Sequence, residues 1–144
     1  INISTWPQVG RAVASLLSLP VSASGGGGAC LNDFRNGFVY ISSFKLSQHE
    51  MLESVQRVTG TRPEDWKVSY VPVKEAYAAG NERMRKGDWS AMKDVGYGRT
   101  FFPDGSGNYE DSKGLHNDVL GLPKEDLDEF TKIAIEHSGK GLKH

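Results

Sequence analysis

Two tyrosine–lysine pairs, Tyr70 with Lys74 and Tyr109 with Lys113, have the four-residue spacing by which a lysine can depress a phenol's pKa beside a nicotinamide ribose. That chemistry needs both side chains on one helical face. Pro72 interrupts the first pair, and Tyr109 lies in a polar stretch that reads as loop, so both spacings are taken as coincidence. Two glycine clusters invite a phosphate-binding reading. The run 25–28 follows Pro20-Val-Ser-Ala-Ser24, not a strand, and Cys30 stands where the third glycine of a dinucleotide fingerprint would fall. In Gly105-Ser-Gly107 the same place holds Glu110. The first reads as a linker and the second as a turn. His49, His116, His137 and His144 lack metal-ligand spacing, and each reads as a solvated residue on a helix face. Cys30 has no base or helix terminus near it in the sequence to make a thiolate. Asn2-Ile-Ser4 fits a glycosylation sequon and, with no leader visible, is read as inert. No catalytic residue, metal site or cofactor-binding residue is expected within this chain.

One group of side chains does suit a small-molecule site. Trp89, Tyr97, Phe101 and Phe102, with Phe44 and Met92, are large, apolar and accompanied by few polar residues, as ligand pockets are. Aromatic side chains dominate cores as readily, so pocket and core both stand as readings.

The elements that would position these residues follow from periodicity and caps. Phe38-Val-Tyr-Ile-Ser-Ser-Phe44 is β-branched and aromatic and predicts a buried strand. Ser47 with Glu50 forms a capping box, Met51, Leu52, Val55 and Val58 share a face, and Gly60 ends that helix. Upstream, Ile1 to Ser4 reads as a strand end. Thr5 caps a helix with Gln8 answering it, Pro7 sits in the first turn, and Val9, Ala12, Val13, Leu16 and Leu17 line one face. Downstream, Trp66, Val68 and Tyr70 alternate with polar residues and predict a half-buried strand. Pro72 opens a helix whose inner stripe is Val73, Ala76, Tyr77, Gly80 and Met84, with Gly80 allowing close packing, and Gly87 stops it. Asp88 caps a helix carrying Trp89, Met92 and Val95. Residues 96–107 read as a packed, shaped loop. Leu115, Val119 and Leu120 predict a short helix ended by Gly121. Pro123 begins the last helix, with Glu125 and Asp126 in its first turn and Leu127, Phe130, Ile133 and Ala134 inward.

The 144 residues suit one domain, and 38% hydrophobic with 24% charged residues suits a soluble globular chain. The net charge of −1 is spread without a basic stripe, so neither a nucleic acid nor a membrane surface is an expected partner. No apolar run reaches a membrane span, and the single cysteine suits a reducing, cytoplasmic setting. The first residue, Ile1, reads as the start of a processed chain or of a fragment of a larger fold. The expected class is α/β, α+β-like, with few strands packed against about five to six helices. Residues 1–20 form a strand and helix, 21–35 a flexible Gly/Ser-rich loop, 36–138 the main α/β part and 139–144 a frayed tail.

Four segments then resemble a known family in order. These are Asn36-Gly-Phe-Val-Tyr-Ile-Ser-Ser-Phe44, Arg57-Val-Thr-Gly60, Tyr97-Gly-Arg-Thr-Phe-Phe-Pro-Asp-Gly-Ser-Gly107 and Leu120-Gly-Leu-Pro-Lys-Glu-Asp-Leu-Asp-Glu129. Together they resemble fungal NmrA-like proteins, the isoflavone-reductase-like, atypical short-chain dehydrogenases, and Val9-Gly-Arg-Ala-Val-Ala14 looks like a helix following a sheet strand there. The resemblance implies the C-terminal, substrate-binding part of an NADP-dependent reductase acting on a small aromatic or secondary-metabolite-like substrate. It implies that the helix of residues 1–20 packs on a missing N-terminal Rossmann part. It also implies pocket lining by Phe44, Lys45 and the loop from Tyr97 to Phe102. The glycine fingerprint and catalytic lysine of that family have no counterpart here, so NADP belongs to the full-length parent and no cofactor is expected on this chain alone. Two alternatives stand beside it. One is a fragment of a non-catalytic, dinucleotide-sensing regulator, and the other is a stand-alone binding module that forms a homodimer through its bare face.

Overall fold

A computed structural model describes residues 1–23 and 27–138. The expectations placed on Gly25, Gly26, His144 and the tail 139–144 lie outside the described residues. The class is α/β and mostly helical. Six α-helices surround one two-stranded antiparallel sheet, in which β1 (Asn2–Ile3) pairs with β2 (Phe44–Lys45), Ile3 opposite Phe44.

Caps written in the sequence place several helices. In α1 (Trp6–Leu17) the Thr5 hydroxyl accepts from the Gln8 amide at 3.1 Å. Gln8 does not answer in return: its buried side chain donates to the Pro123 carbonyl at 2.8 Å, and the Thr5 amide donates to Ser43 Oγ at 3.1 Å. In α2 (Gln48–Thr59) the box is reciprocal, Glu50 N donating to Ser47 Oγ at 3.2 Å and Ser47 N to Glu50 Oε2 at 2.7 Å. Gly60 closes that helix at φ +67°. Helix α3 (Val73–Arg85) begins after Pro72 and stops before Gly87. It packs on α4 (Met92–Thr100) through Gly80, where a β-carbon would stand 3.0 Å from Val95 Cγ2, so the close packing expected there is present. The Asp88 carboxylate caps a single 3-10 turn, Trp89–Ala91, that leads into α4.

The long apolar segments depart from expectation. Residues 38–43 are extended but not a buried strand, and Phe38 is 81% exposed. A strand needs a neighbour for its backbone, and here side chains supply part of one. Tyr40 N donates to His116 Nδ1 at 3.0 Å, His116 N to the Tyr40 carbonyl at 2.8 Å, Ser42 N to Asn117 Oδ1 at 3.1 Å and Asn117 Nδ2 to the Ser42 carbonyl at 2.7 Å. His116 is thus a backbone partner, not the solvated helix-face residue expected. Residues 66–72 form no strand either. Tyr70 is 88% exposed, since nothing described lies alongside to pair with it.

Helix content shifts as well. The segment expected as loop from residue 96 stays helical to Thr100 because α3 packs against it, and tertiary contact overrides the weak propensity of Gly96 and Gly98. A short helix, α5 (Tyr109–Lys113), follows where loop was expected. The helix predicted at 115–120 is only a hydrogen-bonded turn, closed by Gly121 at φ +62°. The last helix, α6 (Leu127–Ser138), starts beyond Glu125 and is capped by Asp126, whose carboxylate accepts from Glu129 N at 2.9 Å. Phe130 and Leu127 are half-buried as expected. Ile133 and Ala134 are exposed, because α6 is covered by α2 along one edge only.

That edge is polar. Ser54, fully buried on α2, donates to Asp128 Oδ1 at 2.6 Å, and Arg57 clasps the same carboxylate at 2.7 and 2.8 Å. Hydrogen bonds from Arg57, then Ser54, pull Asp128 down to about 2. Its folded pKa lies below its unfolded one, so this stabilisation is complete above the ordinary aspartate range and is lost as pH falls through about 2. Arg57→Ala is expected to shrink the difference in melting temperature between pH 6 and pH 2.5. An unchanged difference would assign the acid sensitivity elsewhere.

Candidate functional site

The end of α4 and the turn after it border a largely apolar space. A cavity of about 590 Å³ lies between β1, the start of α2 and α4, walled chiefly by Ile1, Ile3, Met51, Tyr97, Phe101 and Tyr109. A second cavity of about 400 Å³ shares Gln48, Thr100, Phe101 and Gly107 with it and adds Val73, Phe102 and Asn108. The turn between them is stapled: Arg99 pairs with Asp104 at 2.9 Å and donates to Ser106 Oγ. These bonds, Arg99 first, draw the Asp104 carboxyl down to about 2. Arg99 also lies 4.8 Å over the Phe102 ring, which meets Tyr77 edge-on at 5.2 Å.

The structure divides the seven residues singled out from sequence. Tyr97 and Phe101 line the larger cavity, and Phe101 and Phe102 the smaller. Trp89 and Met92 point outward, 70% and 65% exposed, along a shallow cleft with Gly96 and Tyr97 on another face of α4. Phe44 packs on Phe130 of α6 at 6.4 Å between ring centres. Lys45 pairs with Asp111 at 2.6 Å. Neither Phe44 nor Lys45 lines the two cavities. Ile1, Ile3, Met51, Gln48 and Asn108 are brought in by folding. Met51 was legible only as part of a helix face and Ile1 and Ile3 only as a strand end, while Asn108 adjoins the glycine-rich turn.

Tyr109 and Lys113 do share a helix, against expectation, yet no activated phenol results. The Tyr109 hydroxyl donates to the Ile41 carbonyl at 2.6 Å, and burial raises its pKa against the lowering effect of nearby hydroxyls. The amide nitrogen of Asn2, in the sequon, donates to Ser42 Oγ and to Glu110 Oε2 and is engaged within the fold. Among the described residues no group of three or more His, Cys, Asp or Glu is placed to hold a metal. Nor does a pyrophosphate fit at the Gly105–Gly107 turn. The Gly105–Gly107 turn leads into a helix of five residues, the Glu110 amide is already bound by Asn2 Oδ1 at 3.1 Å, and Glu110 and Asp111 put negative charge where a pyrophosphate would sit.

A different feature is the most heavily bonded carboxylate. Glu125 accepts from Ser43 at 2.6 Å, Thr5 at 2.8 Å and Arg11 at 2.7 Å, with its side chain 4% exposed. Burial pushes its pKa up, but the bonds from Ser43, Arg11 and Thr5 outweigh that and hold it below the ordinary glutamate value. This knot fixes α1 against the extended segment 38–43. The outer face of α1 stays bare: Trp6 is 84%, Val13 51% and Leu17 69% exposed. Val9, Val13, Leu16, Val39 and Ile41 line a groove of about 240 Å³ there.

The chain aligns with a protein named Oxidoreductase aprR from Aspergillus flavus, 27% identical over 128 residues. The alignment takes in 89% of this chain and 38% of that relative, so the chain spans well under half the relative's length. No protein-family model and no solved structure matches. No described helix is long and apolar enough to cross a membrane.

Proposed function

We propose that this chain is the substrate-binding part of a cytoplasmic, NmrA-like, NADP-dependent oxidoreductase, in which the paired cavities beside α4 receive a small aromatic or secondary-metabolite-like substrate. The observation that carries the reading is the alignment to a named oxidoreductase more than twice as long, taken with the four-segment resemblance. In the full-length parent NADPH would supply hydride and would be held by residues outside this chain. Here Tyr97, Phe101 and Phe102 supply apolar walls and exclude water, which strengthens any polar contact made to the substrate inside. The bare face of α1 and the extended segment 38–43 are where the cofactor-holding part docks. That face is apolar and lies in the open.

NADPH fluorescence tests the division of labour. The full-length gene product is expected to bind the nucleotide and the 144-residue chain alone to leave its signal unchanged. Saturable binding by this chain alone would refute the reading. The bare α1 face also favours a second reading, a stand-alone binding module that dimerises through it. A chain sedimenting as a monomer at high concentration would eliminate that one.

A further inference from the structure

Among the described residues, one buried side-chain polar atom lacks a hydrogen-bond partner: Oδ1 of Asn108. Its orientation is set by an ion pair. Asn108 Nδ2 donates to Asp111 Oδ2 at 2.7 Å, and Asp111 Oδ1 accepts from Lys45 Nζ at 2.6 Å. A paired carboxylate only accepts, so turning the amide over would set oxygen against oxygen. Lys45 therefore acts at one remove, fixing where Asp111 sits and so keeping the Asn108 oxygen turned from it. Asn108 is also part of the wall of the 400 Å³ cavity, beside Phe101, Phe102 and Gln48. An acceptor buried without a donor is unfavourable, and native structures keep such groups where something else completes them.

We propose that Asn108 is a specificity-determining residue of this pocket, its carbonyl oxygen accepting a hydrogen bond from a hydroxyl group on an aromatic ligand. The assignment rests on the reading of these cavities as a ligand site. The oxygen lies beneath the cavity wall, so a donor reaches it only when the Gly105–Gly107 turn, held by Arg99, Asp104 and Ser106, is displaced by the ligand. A ligand presenting a carbonyl or carboxylate at that point would face only an acceptor. Glu110, Asp111 and Asp104 nearby add to the discrimination against anions.

Phenol and anisole, matched in ring and differing in the donor, are the probes. Binding is followed by ligand-observed NMR to this chain and to Asn108→Leu, which keeps the volume and removes the acceptor. Phenol is expected to bind about tenfold tighter than anisole, and Asn108→Leu to abolish that preference. Lys45→Met should narrow the preference without touching anisole affinity. Equal binding of the two probes to the unaltered chain would overturn the Asn108 assignment and leave the pocket standing. Binding of neither would remove the pocket and the assignment together. The comparison on the unaltered chain decides the matter even if Asn108→Leu fails to fold.

Discussion

Glu125→Ala is expected to lower stability by about 3 kcal/mol, or roughly 10 °C in melting temperature. The carboxylate joins two parts distant from it in sequence: α1, through Thr5 at its cap and Arg11 within it, and the segment 38–43, through Ser43. Truncation leaves the part-buried Ser43 and Thr5 hydroxyls without their acceptor. Arg11 is 44% exposed and can be rehydrated, which keeps the estimate at the low end for a broken buried pair. Glu125→Gln should cost less, because an amide oxygen still accepts from one hydroxyl. The sign with pH follows from the depressed folded pKa. The contribution is whole above the ordinary glutamate value near 4.5 and falls away as pH drops through the folded value, so the variant and the original chain should converge in acid. Chemical denaturation at pH 7 reads the magnitude, and a loss under half a kilocalorie per mole would show the knot to be incidental.

Gly107→Ala should cost a similar amount, about 3 kcal/mol, by overpacking. A β-carbon there would run into the Thr100 carbonyl oxygen and stand 2.7 Å from Ile1 Cγ2. Neither obstacle is the free end of a flexible side chain, since one is helix backbone and the other is pinned beside β1. The Gly107 carbonyl also accepts from Asn2 N at 2.8 Å, so a shift of the turn pulls on the sheet. Gly105→Ala is the control. At φ +75° with open space around it, it carries only the left-handed penalty of about 1 kcal/mol. Equal melting temperatures for the two variants would mean that the close approach at Gly107 relaxes freely. Because Gly107 walls both cavities, its substitution should also weaken phenol binding more than that at Gly105 does.

How much was legible beforehand divides by range of interaction. Ser47 with Glu50, Thr5, Asp88, Gly60 and Gly87 marked helix ends correctly, because a cap is made by residues three or four apart. Gly80 was legible as a packing point, since a glycine on an inner stripe has few other uses. Residues 38–44 and 66–70 were misread because composition reports that a segment suits a sheet, not that a partner strand stands beside it. Residues 96–100 were misread in the opposite direction, their glycines outweighed by contact with α3. The aromatic set is divided by the fold. Tyr97, Phe101 and Phe102 reach the cavities, whereas Trp89 and Met92 face away across α4, and a helix periodicity does not reveal which side its neighbour occupies.

The residues alone determined the α/β class and the ends of α1, α2 and α3, which depend on neighbours along the chain. Tertiary structure decided the rest. Only folding sets Glu125 against Thr5 and Ser43, lends His116 and Asn117 to an unpaired strand, and turns Asn108 toward a cavity through Lys45 and Asp111. Those contacts join residues tens of positions apart, and their energy depends on burial that no local pattern encodes.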